Sequence, residues 1–216
     1  MYNSLADSCV RGKHADGTWC DTLKKYIRQP YITEGTPYQY TWYVPQDIPG
    51  LVQLMGGPSS FAANLDRFKA AKQYWHGNEP GHQIPFLYNY VDQSWKTQQW
   101  VDEIMHTEYS ASLGGLSGND DAGQMSAWYV FAALGFYPVC PASNTYAVSG
   151  PHFDEISIHL ENEKKLTIKA PGAGEGKHFI HRMYVNGEKR EKLFISYKDI
   201  VDGGNLSFDM SDKKID

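Results

Sequence analysis

The feature that most limits how this chain can fold is a change of period partway along it. After Tyr146 the sequence breaks into short runs that alternate apolar and polar residues: "EISIHL", "KLTIKA", "FIHRMYV" and "LSFDM". A period of two sends one face of each run into a core and the other into water, which is a strand pattern. Turn signals separate the runs. Asn186-Gly187 is the strongest, because both residue types accept the positive φ of a tight hairpin, and Gly203-Gly204 is another.

Upstream the period is helical. Residues 1–57 read as loops with short helical turns, broken by Pro30, Pro37, Pro45 and Pro49 and closed by Gly56-Gly57. A helix is expected through "FAANLDRFKAAKQYW", capped by Ser59 or Ser60, with Phe61, Leu65 and Phe68 on its buried face. "HQIPFLYNYV" is short and interrupted by Pro85. "SWKTQQWVDEIMHTEYS" is a second helix with Ser94 as its cap and Trp100, Ile104 and Thr107 on one face. A last helix over about 122–134 stops at Gly135. The expected class is therefore α+β, with a helical part over 1–137 and a β-rich, sandwich-like part over 138–216.

Charge and composition remove several functions. The net charge is −5 and no Lys/Arg run exceeds two residues, which argues against nucleic acid and an anionic membrane surface. No stretch approaches the ~18 apolar residues of a membrane span. Three cysteines, Cys9, Cys20 and Cys140, have no metal-ligand spacing and read as free thiols, with a Cys9–Cys20 bridge as the alternative. The first residues carry no signal-peptide pattern. Fifteen Tyr and six Trp suit either a core or a sugar-binding surface.

Three loops in the helical part share one chemistry, a carboxylate or amide set beside Gly or Pro and near aromatic residues: "TEGTPYQYTWYVPQD" (33–47), "HGNEPGH" (76–82) and "SGNDDAG" (117–123). Loops held by rigid helices are where binding and catalytic groups concentrate. In the third, one side chain suffices to cap a helix, yet Asn119, Asp120 and Asp121 stand together. In an extended turn Asn119 and Asp121 point the same way, and a carboxylate at a helix N-terminus is kept ionised by the dipole, as a general base requires. In the first loop, Glu34 is either an exposed loop residue or a carboxyl walled by aromatic rings, where loss of water favours the protonated form of a general acid. An acid and a base of this kind are the pair needed to hydrolyse a glycosidic bond with inversion. Asn78 and Glu79 offer hard oxygen donors beside Pro80, a thin signal for Ca²⁺, and His76 and His82 read equally as ligands or as hydrogen-bonded loop residues.

Taken together, "TEGTPYQYTWYVPQD", "GLVQLMGG", "GNEPGHQIPFLYNY", "SWKTQ", "GNDDAGQMSAWYVFAALGFYPV" and "FDEISIHL" resemble glycoside hydrolase family 92, in family order from about Gly17 to Asp209. The resemblance implies a calcium-dependent, inverting exo-α-mannosidase whose fold is an N-terminal β-sandwich, an (α/α)₆ toroid and a β-rich tail. This chain would supply only part of the toroid and the tail. It places Glu34 at the general-acid position and Asp121 at the general-base position. Asn119 stands where some members carry a second acid, so Asp121 would act alone. Asn78 and Glu79 fall in the calcium segment, and Trp42, Tyr40, Trp95 and His82 become candidates for contact with sugar. Trp128 stays a core residue. The implied substrate is a mannose-terminated oligosaccharide, N-glycan or mannan, with α-1,2 linkage as the working assignment, and the implied location is the bacterial periplasm or cell exterior. Two other classes are weighed against this one: a carbohydrate-binding or scaffold fragment without turnover, and another toroid hydrolase or lyase. Half a toroid also leaves apolar helix faces uncovered, from which self-association is expected.

Overall fold

The structure is a computed structural model that describes residues 2–3, 9–20 and 24–214. Its contacts divide it into two compact units, Met1–Ile84 and Pro85–Asp216. The change from helix to strand falls at residues 134–136, slightly ahead of the expected division after residue 137, because Phe136–Cys140 is already a strand. The compact units divide earlier because the last two long helices pack with the strands that follow them.

The first unit begins with a short antiparallel pair, β1 (Tyr2–Asn3) and β2 (Cys9–Val10). A single helical turn, α1 (Pro37–Tyr40), is opened by a capping box in which Thr36 Oγ1 accepts from the Gln39 amide and Gln39 Oε1 accepts from the Thr36 amide. Then come α2 (Ile48–Leu54) and α3 (Pro58–Ala70). Proline at the first position of α3 starts that helix earlier than Ser59 or Ser60 would, with Gly57 as the N-cap. The helix also stops short of Trp75: Lys72 leaves it with φ 53°. The expected face is present, with Phe61, Leu65 and Phe68 all buried. These rings close around Trp42, which packs edge-on against Phe61 (5.5 Å) and Phe68 (5.6 Å).

In the second unit α4 (Ser94–Thr107) buries Trp100 and Ile104 as expected, together with Thr97, Gln98, Val101 and Met105. Ser94 is its first helical residue and makes no side-chain cap, and Thr107 is exposed. α5 (Gln124–Leu134) ends at Gly135, whose φ is 92° and where a Cβ would come within 2.4 Å of Pro151 N, so only glycine fits. The strands are β3 (Phe136–Cys140), β4 (Thr145–Val148), β5 (Glu155–His159), β6 (Lys165–Lys169), β7 (Phe179–Val185), β8 (Glu188–Arg190), β9 (Phe194–Ser196) and β10 (Gly204–Ser211), with the short helix α6 (Tyr197–Val201) between the last two. They form a five-stranded sheet of order β5-β6-β10-β7-β8 and a three-stranded sheet of order β3-β4-β9. β10 runs parallel to β6; the other pairs in both sheets are antiparallel. Asn186 (φ 51°) and Gly187 (φ 86°) make the β7–β8 hairpin turn that the sequence signals. Leu166, Ile168, Met183, Leu206 and Phe208 from one sheet share a core with Phe136, Val148 and Ile195 from the other. The class is α+β. The three cysteines are free thiols.

Candidate active site

Glu34 sits in left-handed backbone with φ 62°, a conformation uncommon outside glycine. Its peptide is held from both sides: the Arg28 guanidinium donates to the Glu34 carbonyl (3.1 Å), and the Tyr40 hydroxyl donates to the Thr33 carbonyl (2.6 Å). Gly35 lets the Tyr40 ring lie against the chain, since a Cβ there would come within 2.4 Å of Tyr40 Cε2. The carboxylate itself is exposed and makes no hydrogen bond to the described residues. The expected wall of aromatic rings is therefore absent among the described residues. Tyr40 covers the backbone of Gly35 rather than the acid. Arg28 was not legible as a support, because nothing in the local sequence says that it folds back six residues on.

Trp42 is corrected more firmly. It is 0% exposed, with its ring enclosed by Tyr38, Phe61 and Phe68, so it offers no face to a sugar and is the centre of the first unit's core. Its indole nitrogen is buried without a hydrogen-bond partner among the described residues.

The second loop forms a 3₁₀ turn at Glu79–Gly81, closed by Gly81 N–H donating to the Asn78 carbonyl (3.0 Å) and His82 N–H donating to the Glu79 carbonyl (2.9 Å). His82 is 1% exposed; its Nε2 lies 2.9 Å from the His76 carbonyl, an acceptor only, so Nε2 carries the proton. The two imidazoles lie 4.7 Å apart, and the Tyr74 hydroxyl bonds His76 Nδ1 at 2.7 Å. Burial holds both rings neutral: it lowers His82, and it brings His76 down to about 3 with help from the neighbouring His82 charge. His82 is thus a buried element of the loop's frame and not a residue that can reach a sugar.

Tyr40, from the first loop, lines a narrow cleft of about 10 Å³ together with Tyr74, Trp75, Asn78, Pro80 and Gly81, so the first two loops meet within one unit. The Gln39 carboxamide reinforces the junction by donating to the Gln73 carbonyl (2.9 Å). Asn78 is 9% exposed, and its carboxamide makes no hydrogen bond to the described residues. Asn78 and Glu79 side chains carry oxygens of the kind Ca²⁺ prefers but supply at most three of the roughly six to eight it takes. Among the described residues no cluster of three or more His, Cys, Asp or Glu converges on an ion position. The donor set fits part of a calcium shell, with main-chain carbonyls and water needed to complete it.

The third loop lies in the second unit, and its three adjacent polar side chains divide their work. Asp120 Oδ1 accepts from the Ser126 amide (3.0 Å) and the Ser126 hydroxyl (2.9 Å), capping the first turn of α5 from outside the helix. Asp121 (φ 47°), Ala122 (φ 58°) and Gly123 (φ 97°) then form three successive left-handed residues. Such backbone costs on the order of 1 kcal/mol at each non-glycine residue and persists where the surroundings over-determine it. The Asn119 and Asp121 side chains are exposed and make no hydrogen bond to the described residues, while the Asp121 carbonyl accepts from the Gln124 amide (3.3 Å). Tyr109 braces the loop: its hydroxyl donates to the Met125 carbonyl (2.9 Å), its ring stacks on Trp128 at 5.9 Å, and burial pushes its phenol up. Trp128 is fully buried, as expected. Trp95, in the first turn of α4, is half-buried, with the Lys214 ammonium 4.4 Å from its ring centroid; it lies in a different cleft from Tyr40.

Two loops, one in each unit, strain the backbone at an exposed carboxylate, and the first unit adds a loop with side-chain oxygen donors. Residues 1–212 match the glycosyl hydrolase family 92 catalytic domain, and the chain belongs to that family. A family GH92 α-mannosidase from Bacteroides thetaiotaomicron superposes with a TM-score of 0.90 at 40% identity, covering 96% of this chain and 29% of its own. A family GH92 inverting mannosidase from the same organism gives a TM-score of 0.88 at 31% identity, over 96% of this chain and 32% of its own. A secreted glycosidase of Arthroderma benhamiae is 27% identical over 209 residues, 90% of this chain and 27% of the relative. The chain thus spans about a third or less of the length of these relatives. No helix among the described residues is long and apolar enough to cross a membrane.

Proposed function

We propose that this chain is the catalytic C-terminal portion of an exo-acting α-mannosidase that releases terminal α-linked mannose, α-1,2-linked in the first instance, with inversion. The observation that carries the reading is the state of Glu34 and Asp121. Each carboxylate stands in left-handed backbone on a braced loop, exposed and unpaired among the described residues. Glu163 has the same backbone and exposure in the β5–β6 turn, so what sets Glu34 and Asp121 apart is the bracing of their loops within a family 92 catalytic domain.

In this mechanism Asp121 takes a proton from water as the water oxygen bonds to C1 of the mannose. Glu34 delivers its proton to the departing glycosidic oxygen as the C1–O bond breaks, and the products are β-mannose and the shortened alcohol. Asn119 orients the water through its amide but cannot take its proton, so the base is Asp121 alone. Tyr40 packs against the sugar. Asn78 and Glu79 would hold Ca²⁺, which when bound supplies a fixed positive charge for sugar hydroxyls. The substrates are mannose-terminated oligosaccharides, N-glycans or mannans, met in the periplasm or outside the cell. The mannose substrate is supported by a 37% identical α-mannosidase solved with mannoimidazole, inversion by the relative named as inverting, and the location by the relative named as secreted. A binding module without turnover is the second reading, favoured by the chain's coverage of only 29% of the first α-mannosidase's length.

The test is hydrolysis of α-1,2-mannobiose by this chain, with and without a calcium chelator, following the released anomer by proton NMR. Chelator-sensitive appearance of β-mannose is expected. Initial release of α-mannose would refute inversion, and mannose binding without release would establish the second reading.

A further inference from the structure

We infer that Trp75 is the platform on which the leaving-group sugar of the substrate lies, an assignment that rests on the hydrolase reading of Glu34. The chain has six tryptophans, and the fold occupies the rings of five. Trp42 packs against Phe61 and Phe68, Trp128 against Tyr109 and Phe86, and Trp100 against Tyr88. The Lys13 ammonium stands 5.2 Å from the Trp19 ring, and that of Lys214 stands over Trp95. Trp75 is 42% exposed, and among the described residues no aromatic ring, cation or hydrogen-bond partner engages its indole.

The ring is carried on a fixed loop. Lys72 turns the chain out of α3, and the Gln39 carboxamide then holds the Gln73 carbonyl. On the other side, the Tyr74 hydroxyl bonds His76 Nδ1, and His82 Nε2 donates to the His76 carbonyl. The 3₁₀ turn packs on the same loop, since a Cβ at Gly81 would come within 3.2 Å of the Trp75 carbonyl. A ring presented on backbone this well held has little freedom to lose when a ligand covers it.

Its position ties it to the candidate acid. Trp75 and Tyr40 line one narrow cleft, and Tyr40 lies against Gly35 while its hydroxyl holds the Thr33 carbonyl, the two neighbours of Glu34. At about 10 Å³ the cleft admits no sugar, so the ligand lies across its mouth on the open indole face. In the proposed mechanism Glu34 protonates the oxygen that departs with the second sugar, so a surface beside its loop faces the leaving group. The described residues that line the cleft are all uncharged, which suits a neutral glycan rather than an anion. A pyranose presents a face of C–H groups with hydroxyls at its rim, and an indole matches it with apolar area and one N–H at its edge.

The experiment follows the indole N–H signals of the isotope-labelled chain by NMR during titration with α-1,2-mannobiose or methyl α-mannopyranoside. Asp121→Asn serves as the background so that the disaccharide survives, and Trp75→Phe identifies the Trp75 signal by its loss. A saturable shift of that signal is expected, with the disaccharide bound about tenfold more tightly than the monosaccharide. Trp75→Ala should abolish that preference, and Trp75→Phe should restore most of it. A tryptophan with a merely structural role would change both affinities together or neither. No saturable binding, a Trp75 signal that does not move, or a preference that survives Trp75→Ala would each overturn the inference. Turnover is read separately with Asp121 in place. Binding through Trp75 without release of mannose would remove the catalytic reading and leave the platform. Release with the KM for mannobiose unchanged in Trp75→Ala would do the reverse.

Discussion

Asp120 and Asp121 are adjacent carboxylates; the first caps α5 and the second is the proposed base, so separating them tests the proposal most directly. Asp120→Ala removes an acceptor serving the Ser126 amide and hydroxyl at 3.0 and 2.9 Å. The hydroxyl is exposed and turns to water at little cost, so the loss is chiefly that of one cap, about 1–2 kcal/mol. For a chain of this size that lowers Tm by roughly 2–8 °C. Asp121→Asn keeps side-chain shape in the left-handed position and breaks no bond to the described residues, so stability should hold within about 0.5 kcal/mol. In the proposed mechanism the same substitution removes the base. Thermal unfolding of both variants, with mannobiose hydrolysis measured alongside, gives the comparison. The expected pattern is a less stable but active Asp120→Ala and a stable but inactive Asp121→Asn. The reverse pattern, or equal destabilisation, would show that the two roles have been misassigned.

Three further outcomes follow from individual contacts. Gly35→Ala places a Cβ where Tyr40 Cε2 now lies, so the ring must leave Thr33; a loss of about 1–3 kcal/mol in urea unfolding and of tenfold or more in hydrolysis is expected, and unchanged hydrolysis would remove Tyr40 from the site. Trp42→Ala should cost about 3–5 kcal/mol, whereas Trp42→Phe, which also deletes the unpartnered indole N–H, should cost under about 1.5; a mild Trp42→Ala would contradict its place in the core. His76 is held neutral at about 3 against an ordinary 6.5, so the unfolded chain binds the proton first as pH falls, and stability is lost from 6.5 downwards; the urea midpoint of wild type should fall relative to His76→Asn by the equivalent of about 2 kcal/mol at pH 5, and parallel curves would refute the burial argument.

The sequence made the elements legible where one local rule was enough. Alternation marked β5, β6, β7 and β10, Asn186-Gly187 fixed a hairpin, and Gly135 ended α5. Failures came where a partner distant in sequence decides the outcome. Trp42 stands in the same aromatic run as Tyr40, and only the arrival of Phe61 and Phe68 from α3 turns it into core. His82 reads equally as a ligand or as a hydrogen-bonded loop residue until its Nε2 is found on the His76 carbonyl. The end of the first unit at Ile84 follows from contacts that α4 and α5 make with later strands, which no composition shift records.

The candidate catalytic residues show the same division from the other side. Residue type and glycine spacing were enough to single out Glu34 and Asp121, because chemistry restricts which groups can donate or take a proton. What spacing could not reveal is how each is presented. Both stand in a conformation that L-residues avoid, and each is held there by groups from elsewhere: Arg28 and Tyr40 for the first loop, and for the third Asp120 on Ser126 with Tyr109 on Met125. Those braces, more than the carboxylates, are what a merely solvent-facing loop would lack. Loosening a brace should therefore lower turnover while leaving both acids in place, as Arg28→Ala would test. A full rate in that variant would mean that the strained backbone is incidental to presenting the acid.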